Sequence, residues 1–353
     1  MSASSKKKVV CFLGSGVGGA ERMTVKIGKY LSESNFETVF VIIDKDEGDI
    51  KNFIPDNIRT TYVHISNIYD FTTIKMINIL RKEKPYAVFS SLMYLNIRVI
   101  LAAKLYGNVK IIIRNDNTIF SIDSFSRKLV KLYRYADRII AQQEEMGQEI
   151  MGCLNIKKER IAVLHNPVDT ETIDKDVSSI SPYNANDEIR FLWVARFGYT
   201  KGQDVLVRAF KEVHDILENA HLYLIGNYNT EPNFYKDILK YIEENNLGDY
   251  VHMEGFKKNP YVWVQHCDCF VQPSRLEGLP NALIEAMYLK KPVVAAACIP
   301  IIRRIVKDGY NGYVVESEDV HAMAESMVRA LSLKDFEMTY KSASKEDFVN
   351  VFK

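Results

Sequence analysis

Long apolar runs are missing from this chain. No stretch reaches the ~18 consecutive apolar residues that a membrane-spanning helix needs. The N-terminal segment MSASSKKKVVCFLG has lysines followed only by a short apolar run that reads as a strand, so no secretory leader is expected. An excess of one charge is missing too. Lys and Arg number 46 against 45 Asp and Glu, a formal net charge of +1, which gives no general reason to invoke a nucleic-acid partner. Cysteine is scarce. The five present (Cys11, Cys153, Cys267, Cys269 and Cys298) are an odd number in mostly apolar contexts, and read as free buried thiols in a reducing cytoplasm. Metal-ligand spacing is also absent. The run His266-Cys267-Asp268-Cys269 lacks a C-x2-C spacing and a second ligand pair, and neighbouring strand residues face opposite sides.

What remains is an ordinary globular composition, 47% hydrophobic and 26% charged over 353 residues. That length accommodates about two domains, each with its own core. Short apolar runs alternate with amphipathic stretches. KKVVCFL, ETVFVIID, YAVFSSL, VKIIIRN and DRIIAQ read as strands, separated by helices over 19–34, 72–84, 96–107 and 124–136. The polar, aperiodic segment 168–188 interrupts the pattern. The alternation then resumes with strands IRFLWVAR, AHLYLIG, VHMEGF, CDCFVQP and PVVAAA, and helices over 202–217, 232–246, 260–266, 281–290 and 319–331. The expected fold class is therefore α/β, with two doubly wound parallel sheets, and the strand ends of each are where ligands bind. The domains are read as 1–170 and 189–334, with a linker over 171–188 and a C-terminal segment 335–353.

Three constellations carry chemistry. Glu277 and Glu285 bracket the turn Gly278-Leu279-Pro280-Asn281, with seven residues between them. A helix starting near Pro280–Asn281 leaves backbone N–H groups that favour an anion, while the flanking carboxylates accept from hydroxyls. Such a site suits a sugar joined to a nucleotide diphosphate. Arg196 and Lys201 lie five apart across a strand-to-helix loop and can converge on one anion, Arg bidentately and Lys as a point charge. As they stand, they are equally compatible with solvated loop cations. The loop Gly14-Ser15-Gly16-Val17-Gly18-Gly19 satisfies G-x-G-x-x-G between a strand and a helix, and Asp44 ends the next strand. By itself it points to an NAD(P)-dependent oxidoreductase, but Asp44 lies 25 residues beyond Gly19, and glycine-rich turns serve any phosphate.

Together, GGAER at 18–22, AR-x4-KG at 195–202, GF at 255–256, PS-x2-EGLPNALIEAM at 273–287, KPVVA at 291–295 and DGYNGYVV at 308–315 resemble a family-4 retaining glycosyltransferase of the GT-B fold. The resemblance implies two Rossmann-like domains facing each other across a cleft, with a C-terminal helix within 335–353 crossing back to the first domain. It implies that Glu285 binds the ribose of the donor nucleotide and Glu277 the donor sugar, while Arg196 and Lys201 take the diphosphate. Amides of Gly278, Leu279, Pro280, Asn281 and Ala282 would contact sugar and phosphate. Gly18 and Gly19 would close over the phosphates, and Gly226, Gly255, Phe256 and Lys257 would receive the base. No cofactor or divalent metal is implied: two cations and a helix start can neutralise a leaving diphosphate.

The chain departs from the family pattern in two places. The loop after the fourth expected strand reads Ile113-Arg114-Asn115-Asp116-Asn117, without the usual histidine, and Arg114 and Asn115 are candidates there for acceptor-side contacts or for loop capping. Cys298-Ile299-Pro300-Ile301-Ile302 replaces the usual Gly-Gly-x-Pro-Glu. The implied function is transfer of a hexose or N-acetylhexosamine, most often from a UDP-sugar, to a glycan or polyprenyl-diphosphate-linked acceptor in polysaccharide or glycolipid synthesis. The alternative within the same fold is a catalytically silent sugar-binding partner. Residues 127–138 add five cations against one acid, interleaved with apolar residues. Such a face could dock on an anionic membrane surface, giving a cytoplasmic, peripherally bound protein, or it could be a solvated helix packed by its apolar stripe.

Overall fold

The computed structural model describes residues 6–44, 48–65, 71–116, 119, 124–183, 187–228 and 231–353, with Phe125 described by its backbone alone. Asn117 and residues 184–186 lie outside the described residues. The chain forms two units, Met1–Pro167 with Ser342–Lys353, and Val168–Lys341.

The first unit runs β1 (Lys7–Leu13), α1 (Gly19–Ser32), β2 (Phe36–Asp44), β3 (Arg59–His64), α2 (Thr72–Glu83), β4 (Ala87–Ser90), α3 (Met93–Tyr106), β5 (Lys110–Arg114), α4 (Ser124–Val130), β6 (Arg138–Ala141), α5 (Glu144–Leu154) and β7 (Ile161–Val163). All its strands pair in parallel, in the order β3-β2-β1-β4-β5-β6-β7. β1 shows why: its side chains alternate between two cores, Val10 and Phe12 on one face and Val9, Cys11 and Leu13 on the other, which is the pattern of a sheet covered on both sides. β3 was not apparent from the sequence. It is the edge strand, no residue in it is fully buried, and RTTYVH carries no apolar run. The helix expected over 124–136 is shorter: α4 stops at Val130 and a 3-10 turn covers Lys131–Tyr135.

The second unit runs α6 (Thr170–Asp176), β8 (Ile189–Val194), α7 (Gln203–His214), β9 (Ala220–Ile225), α8 (Pro232–Glu244), β10 (Val251–Gly255), α9 (Tyr261–His266), β11 (Cys269–Gln272), α10 (Asn281–Tyr288), β12 (Val293–Ala296), α11 (Pro300–Ile305), β13 (Gly312–Val315) and α12 (Val320–Ala330). Its parallel sheet has the order β10-β9-β8-β11-β12-β13. In both units the first strand sits in the middle and the winding reverses beside it, between β1 and β4 and between β8 and β11. That reversal leaves a crevice at the strands' carboxyl ends.

Two segments differ from the sequence reading. Within 171–188, taken as a linker, α6 buries Ile173, and Tyr183 packs edge-on against Tyr223 and Trp263 while donating to the Trp263 carbonyl at 2.8 Å. Two isolated apolar anchors fasten a segment whose polarity suggested none. At the other end of the chain, α13 (Lys345–Phe352) belongs to the first unit. A Ser344–Asp347 capping box starts it, and Phe348 and Phe352 are fully buried, Phe352 lying 5.5 Å from the Phe89 ring.

The thiols also differ in part from expectation. Cys11, Cys267 and Cys269 are free and buried, but Cys153 is exposed. In the His266–Cys269 run, His266 meets the Ser178 carbonyl at 2.7 Å and Cys267 donates to the Val264 carbonyl at 3.2 Å.

Candidate active site

The winding reversal of the second unit brings two loops side by side, one after β8 and one after β11. Gly202, at φ +71, ends the first loop so close to the second that a Cβ on it would lie 2.1 Å from the Pro273 carbonyl oxygen. The Thr200 carbonyl accepts from the amides of Arg275 at 2.9 Å and Leu276 at 3.2 Å. Across this seam Lys201 Nζ donates to Glu277 Oε1 at 2.8 Å, and Ser274 Oγ donates to the same oxygen at 2.8 Å. Both charged side chains are largely shielded, 21% and 12% exposed. Two residues 76 apart in sequence thus form a charge-assisted pair at the crevice. Arg196, in the same β8 loop, is exposed, and among the described residues its guanidinium has no hydrogen-bond partner. An uncommitted cation and a polarised Lys–Glu pair at strand carboxyl ends can take an anion and a hydroxyl together.

The second carboxylate of the motif, Glu285, is half-buried on α10, with Tyr261 Oη 3.4 Å from its Oε1. The turn between the acids offers less backbone than the sequence implied. Pro280 has no N–H, and the Asn281 amide is spent on the Leu279 carbonyl at 2.9 Å. The Leu279 side chain is buried in the core, so Gly278, Leu279 and Ala282 can contribute only through backbone atoms.

Cys298, from the segment that replaces the glycine-rich family pattern, lies within electrostatic reach of the pair. Burial pushes its thiol up to about 12, Glu277 adding to the shift and Lys201 opposing it. Ser274, Tyr261 and Cys298 were not singled out from the sequence as contacts to these two acids. Ser274 stands three residues before Glu277, a local spacing that could have signalled it, whereas nothing in the spacing of Tyr261 or Cys298 does.

The residues expected around a base sit near the ends of β9 and β10. Gly226 is buried, its amide donates to the Gly255 carbonyl at 2.9 Å, and its α-carbon packs on the backbone of Ala195. Gly255 has φ +67, Phe256 is 67% exposed, and Lys257 pairs with Glu254 at 2.8 Å while lying 5.1 Å from the Trp263 ring centre.

In the first unit the glycine-rich loop follows β1, with Gly18 and Gly19 exposed. Asp44, the acid a dinucleotide fold would turn to a ribose, instead accepts from the Ser15 amide at 3.2 Å and hydroxyl at 2.7 Å. The Glu21 carboxylate also lies against the loop, 2.8 Å from where a Gly18 side chain would begin. Arg114 and Asn115 are both buried. Arg114 donates to Asn166 Oδ1 at 2.7 Å, and the Asn115 carbonyl accepts from Gln142. Beside them burial raises the Asp116 carboxyl above its usual range, partly offset by Arg114.

Known proteins resemble this chain in sequence and in fold. Residues 17–172 match the model of Glycosyltransferase Family 4, and residues 175–347 match that of Glycosyl transferases group 1. An uncharacterised glycosyltransferase of Methanocaldococcus jannaschii is 30% identical over 247 residues, covering 64% of this chain and 59% of that protein. The Campylobacter jejuni N-acetylgalactosamine-N,N'-diacetylbacillosaminyl-diphospho-undecaprenol 4-alpha-N-acetylgalactosaminyltransferase is 24% identical over 344 residues, covering 94% of this chain and 91% of that one. Anabaena HepE, solved in complex with UDP and glucose, superposes with a TM-score of 0.79 at 16% identity, covering 98% of this chain and 92% of HepE. With both halves matched in order and the fold shared with HepE, the chain belongs to the family-4 glycosyltransferases of the GT-B fold.

Proposed function

We propose that this protein transfers a hexose or N-acetylhexosamine from a UDP-sugar, with retention of anomeric configuration, to a polyprenyl-diphosphate-linked glycan in polysaccharide or glycolipid assembly. The observation that carries the reading is the Lys201–Glu277 pair at the winding reversal of the second unit, with Arg196 uncommitted beside it.

In this reading Arg196 and Lys201 bind the diphosphate, and Glu285 accepts from the ribose hydroxyls. Glu277 holds hydroxyls of the transferred sugar near its anomeric carbon. The bond from C1 to the β-phosphate oxygen breaks, and its electron pair leaves with UDP, whose growing charge the two cations stabilise. The acceptor oxygen bonds C1 on the face the nucleotide leaves, and its proton passes to the departing phosphate oxygen. No protein base is required. No divalent metal is required either, so turnover should survive EDTA. The Campylobacter relative, named for a diphospho-undecaprenol substrate, and HepE, solved with UDP and glucose, support these choices of acceptor and donor.

Among the described residues no helix is long and apolar enough to cross a membrane. The proposed contact with the cytoplasmic membrane face is peripheral, through the exposed cations Arg127, Lys128, Lys131, Arg134 and Arg138. α2, which packs against α3 as the 131–135 turn does, adds the exposed Arg81 and Lys82, while its Glu83 is turned inward onto Arg59 and Lys8. Flotation with anionic liposomes at low salt tests this, and a protein left at the bottom of the gradient counts against it.

The test of the reaction is nucleotide release from a panel of UDP-, GDP- and ADP-sugars. Saturable release from one UDP-sugar, abolished by Glu285→Ala and by Lys201→Ala, is expected. Tight NADH binding with no response to any sugar nucleotide would overturn the reading.

A further inference from the structure

Arg275 is one of the two unspecified residues inside the PS-x2-E motif, and its guanidinium bonds three other residues. Its Nη1 donates to Asp204 Oδ1 at 2.8 Å and its Nη2 to Asp204 Oδ2 at 2.8 Å, a planar two-point pairing with the first turn of α7. Nη1 also donates to the Tyr199 carbonyl at 2.7 Å, and the guanidinium lies 4.1 Å from the Tyr199 ring centre. On its other side Nη2 donates to Glu318 Oε2 at 2.9 Å, and Nε meets Oε1 of the same residue. Glu318 is held at φ +72, a left-handed conformation that a side chain with a Cβ adopts only when its surroundings require it. One cation thus ties together the turn that carries Lys201, the start of α7 and the loop before α12. Its own backbone amide is bonded to Thr200, and it stands two residues from Glu277.

We propose that Arg275 is a positioning residue for the donor site: with Asp204 and Glu318 it fixes the 199–201 turn against the 274–277 loop, and so sets where the Lys201 ammonium sits relative to Glu277.

Three observations support this. Only 12% of the Arg275 side chain is exposed, so it is a largely shielded tie and not a solvated cation free to bind substrate. All of its side-chain hydrogen-bond donors point at protein acceptors, and a ligand would have to break those bonds to recruit it. The pairing is also a strong one. Burial alone would raise the Asp204 carboxyl, yet the Arg275 bonds hold it below its ordinary value. The turn that carries Lys201 is otherwise held by backbone bonds, among them the Lys201 amide to Gly198 at 2.8 Å and the Thr200 carbonyl to the Arg275 and Leu276 amides. Among the described residues the bond to Glu277 is the one that holds the Lys201 ammonium. Its 3-10 turn is only three residues long, so the side-chain tie of Arg275 to Tyr199 and Asp204 brackets it on both sides. Remove the tie, and the Lys201 backbone gains freedom while the strand beneath it stays in place. Lysine at 275 would keep the charge but lose the planar fork that reaches Asp204, Tyr199 and Glu318 at once.

The inference rests on the reading of Lys201 as a diphosphate ligand, and the test separates the two. Isothermal titration of the full chain with UDP and with UMP, GDP and GMP in parallel, isolates the contribution of the β-phosphate. In the wild type the diphosphate should bind more tightly than the monophosphate, and Lys201→Ala should remove most of that advantage, leaving the share that Arg196 supplies. Arg275→Ala should reduce the advantage about 10-fold, the scale of one misplaced charge-assisted contact, and leave monophosphate affinity within about 3-fold. Added to Lys201→Ala, it should have no further effect, because its only route to the phosphate runs through Lys201. Arg275→Lys should fall in between. The double variant Asp204→Asn with Glu318→Gln, which keeps the arginine and removes its anchors, should reproduce Arg275→Ala even if the latter folds poorly. If Arg275→Ala lowers affinity additively with Lys201→Ala, or folds normally with full diphosphate preference, the positioning role is wrong. If Lys201→Ala itself leaves the preference intact, it is the diphosphate reading of Lys201 that fails.

Discussion

Replacing Gly226 by alanine should damage the donor site from outside it. A Cβ at 226 would lie 1.7 Å from the Ala195 carbonyl oxygen, 2.8 Å from its carbon and 3.6 Å from the Arg196 α-carbon. Real Cβ atoms essentially never come closer than 3.0 Å, so the backbone at 195–196 must retreat by the shortfall, about 1.3 Å. It has little freedom to do so. The Ala195 amide donates to Ile225 at 3.1 Å, the Phe197 amide to Asn227 at 2.9 Å, and the Gly226 amide to Gly255 at 2.9 Å. Overpacking against a restrained backbone costs about 1–3 kcal/mol of stability. A displacement of about 1 Å in a group that positions substrate can cost about 100-fold in rate. Both effects are measurable in one preparation. The chain has two tryptophans, Trp193 and Trp263, both in the second unit, so urea unfolding followed by their fluorescence reads the unit that carries the mutation. Nucleotide release from the active UDP-sugar reads the displacement of Arg196. A Gly226→Ala protein with unchanged unfolding midpoint and unchanged turnover would refute the reasoning.

Other consequences can be checked separately. Phe352→Ala should remove a fully buried ring from α13 and destabilise the first unit by about 3–5 kcal/mol, seen as an earlier transition by circular dichroism that tryptophan fluorescence does not report. His221 Nδ1 and His252 Nε2 lie 2.9 Å apart, facing Glu188, Arg190, His214, Tyr223, Tyr250 and Glu254. Burial lowers both imidazoles below 6.5; His214 and Arg190 add to the shift at His221, His221 adds to it at His252, and Glu188 opposes it at both. Between the lowered folded values and 6.5 the unfolded chain binds more protons. Stability of the second unit should therefore be fully present above pH 6.5 and decline as pH falls below it. Melting curves from pH 8 to pH 5 test this, and His252→Gln should flatten the decline.

Much of this architecture was legible because a doubly wound sheet writes itself as short apolar runs at regular intervals. The central strands β1, β8 and β11 are buried on both faces and stand out as such runs. The edges did not stand out. β3 has no buried residue, β13 is four residues long, and α6 hides inside a polar segment with Ile173 as its buried residue. The Glu277, Glu285, Arg196 and Lys201 positions were picked out by motif spacing: three lie in the loops after β8 and β11, and Glu285 lies on α10. Their partners were not. Arg275 and Tyr261 make tertiary contacts that no local pattern encodes, while Ser274 meets Glu277 three residues on, within the motif itself. The glycine-rich loop misled for a related reason. Asp44 has the sequence position of a ribose-binding acid, yet the fold spends it on Ser15.

The central claim is that the two acids of the motif divide the donor between them. The most direct test measures UDP affinity and sugar-transfer rate on Glu277→Gln and Glu285→Gln. The account predicts that Glu277→Gln keeps UDP affinity within about 3-fold while transfer falls about 100-fold, and that Glu285→Gln weakens UDP binding at least about 10-fold. The reverse pattern, with Glu277→Gln releasing the nucleotide and Glu285→Gln leaving it bound, would contradict it.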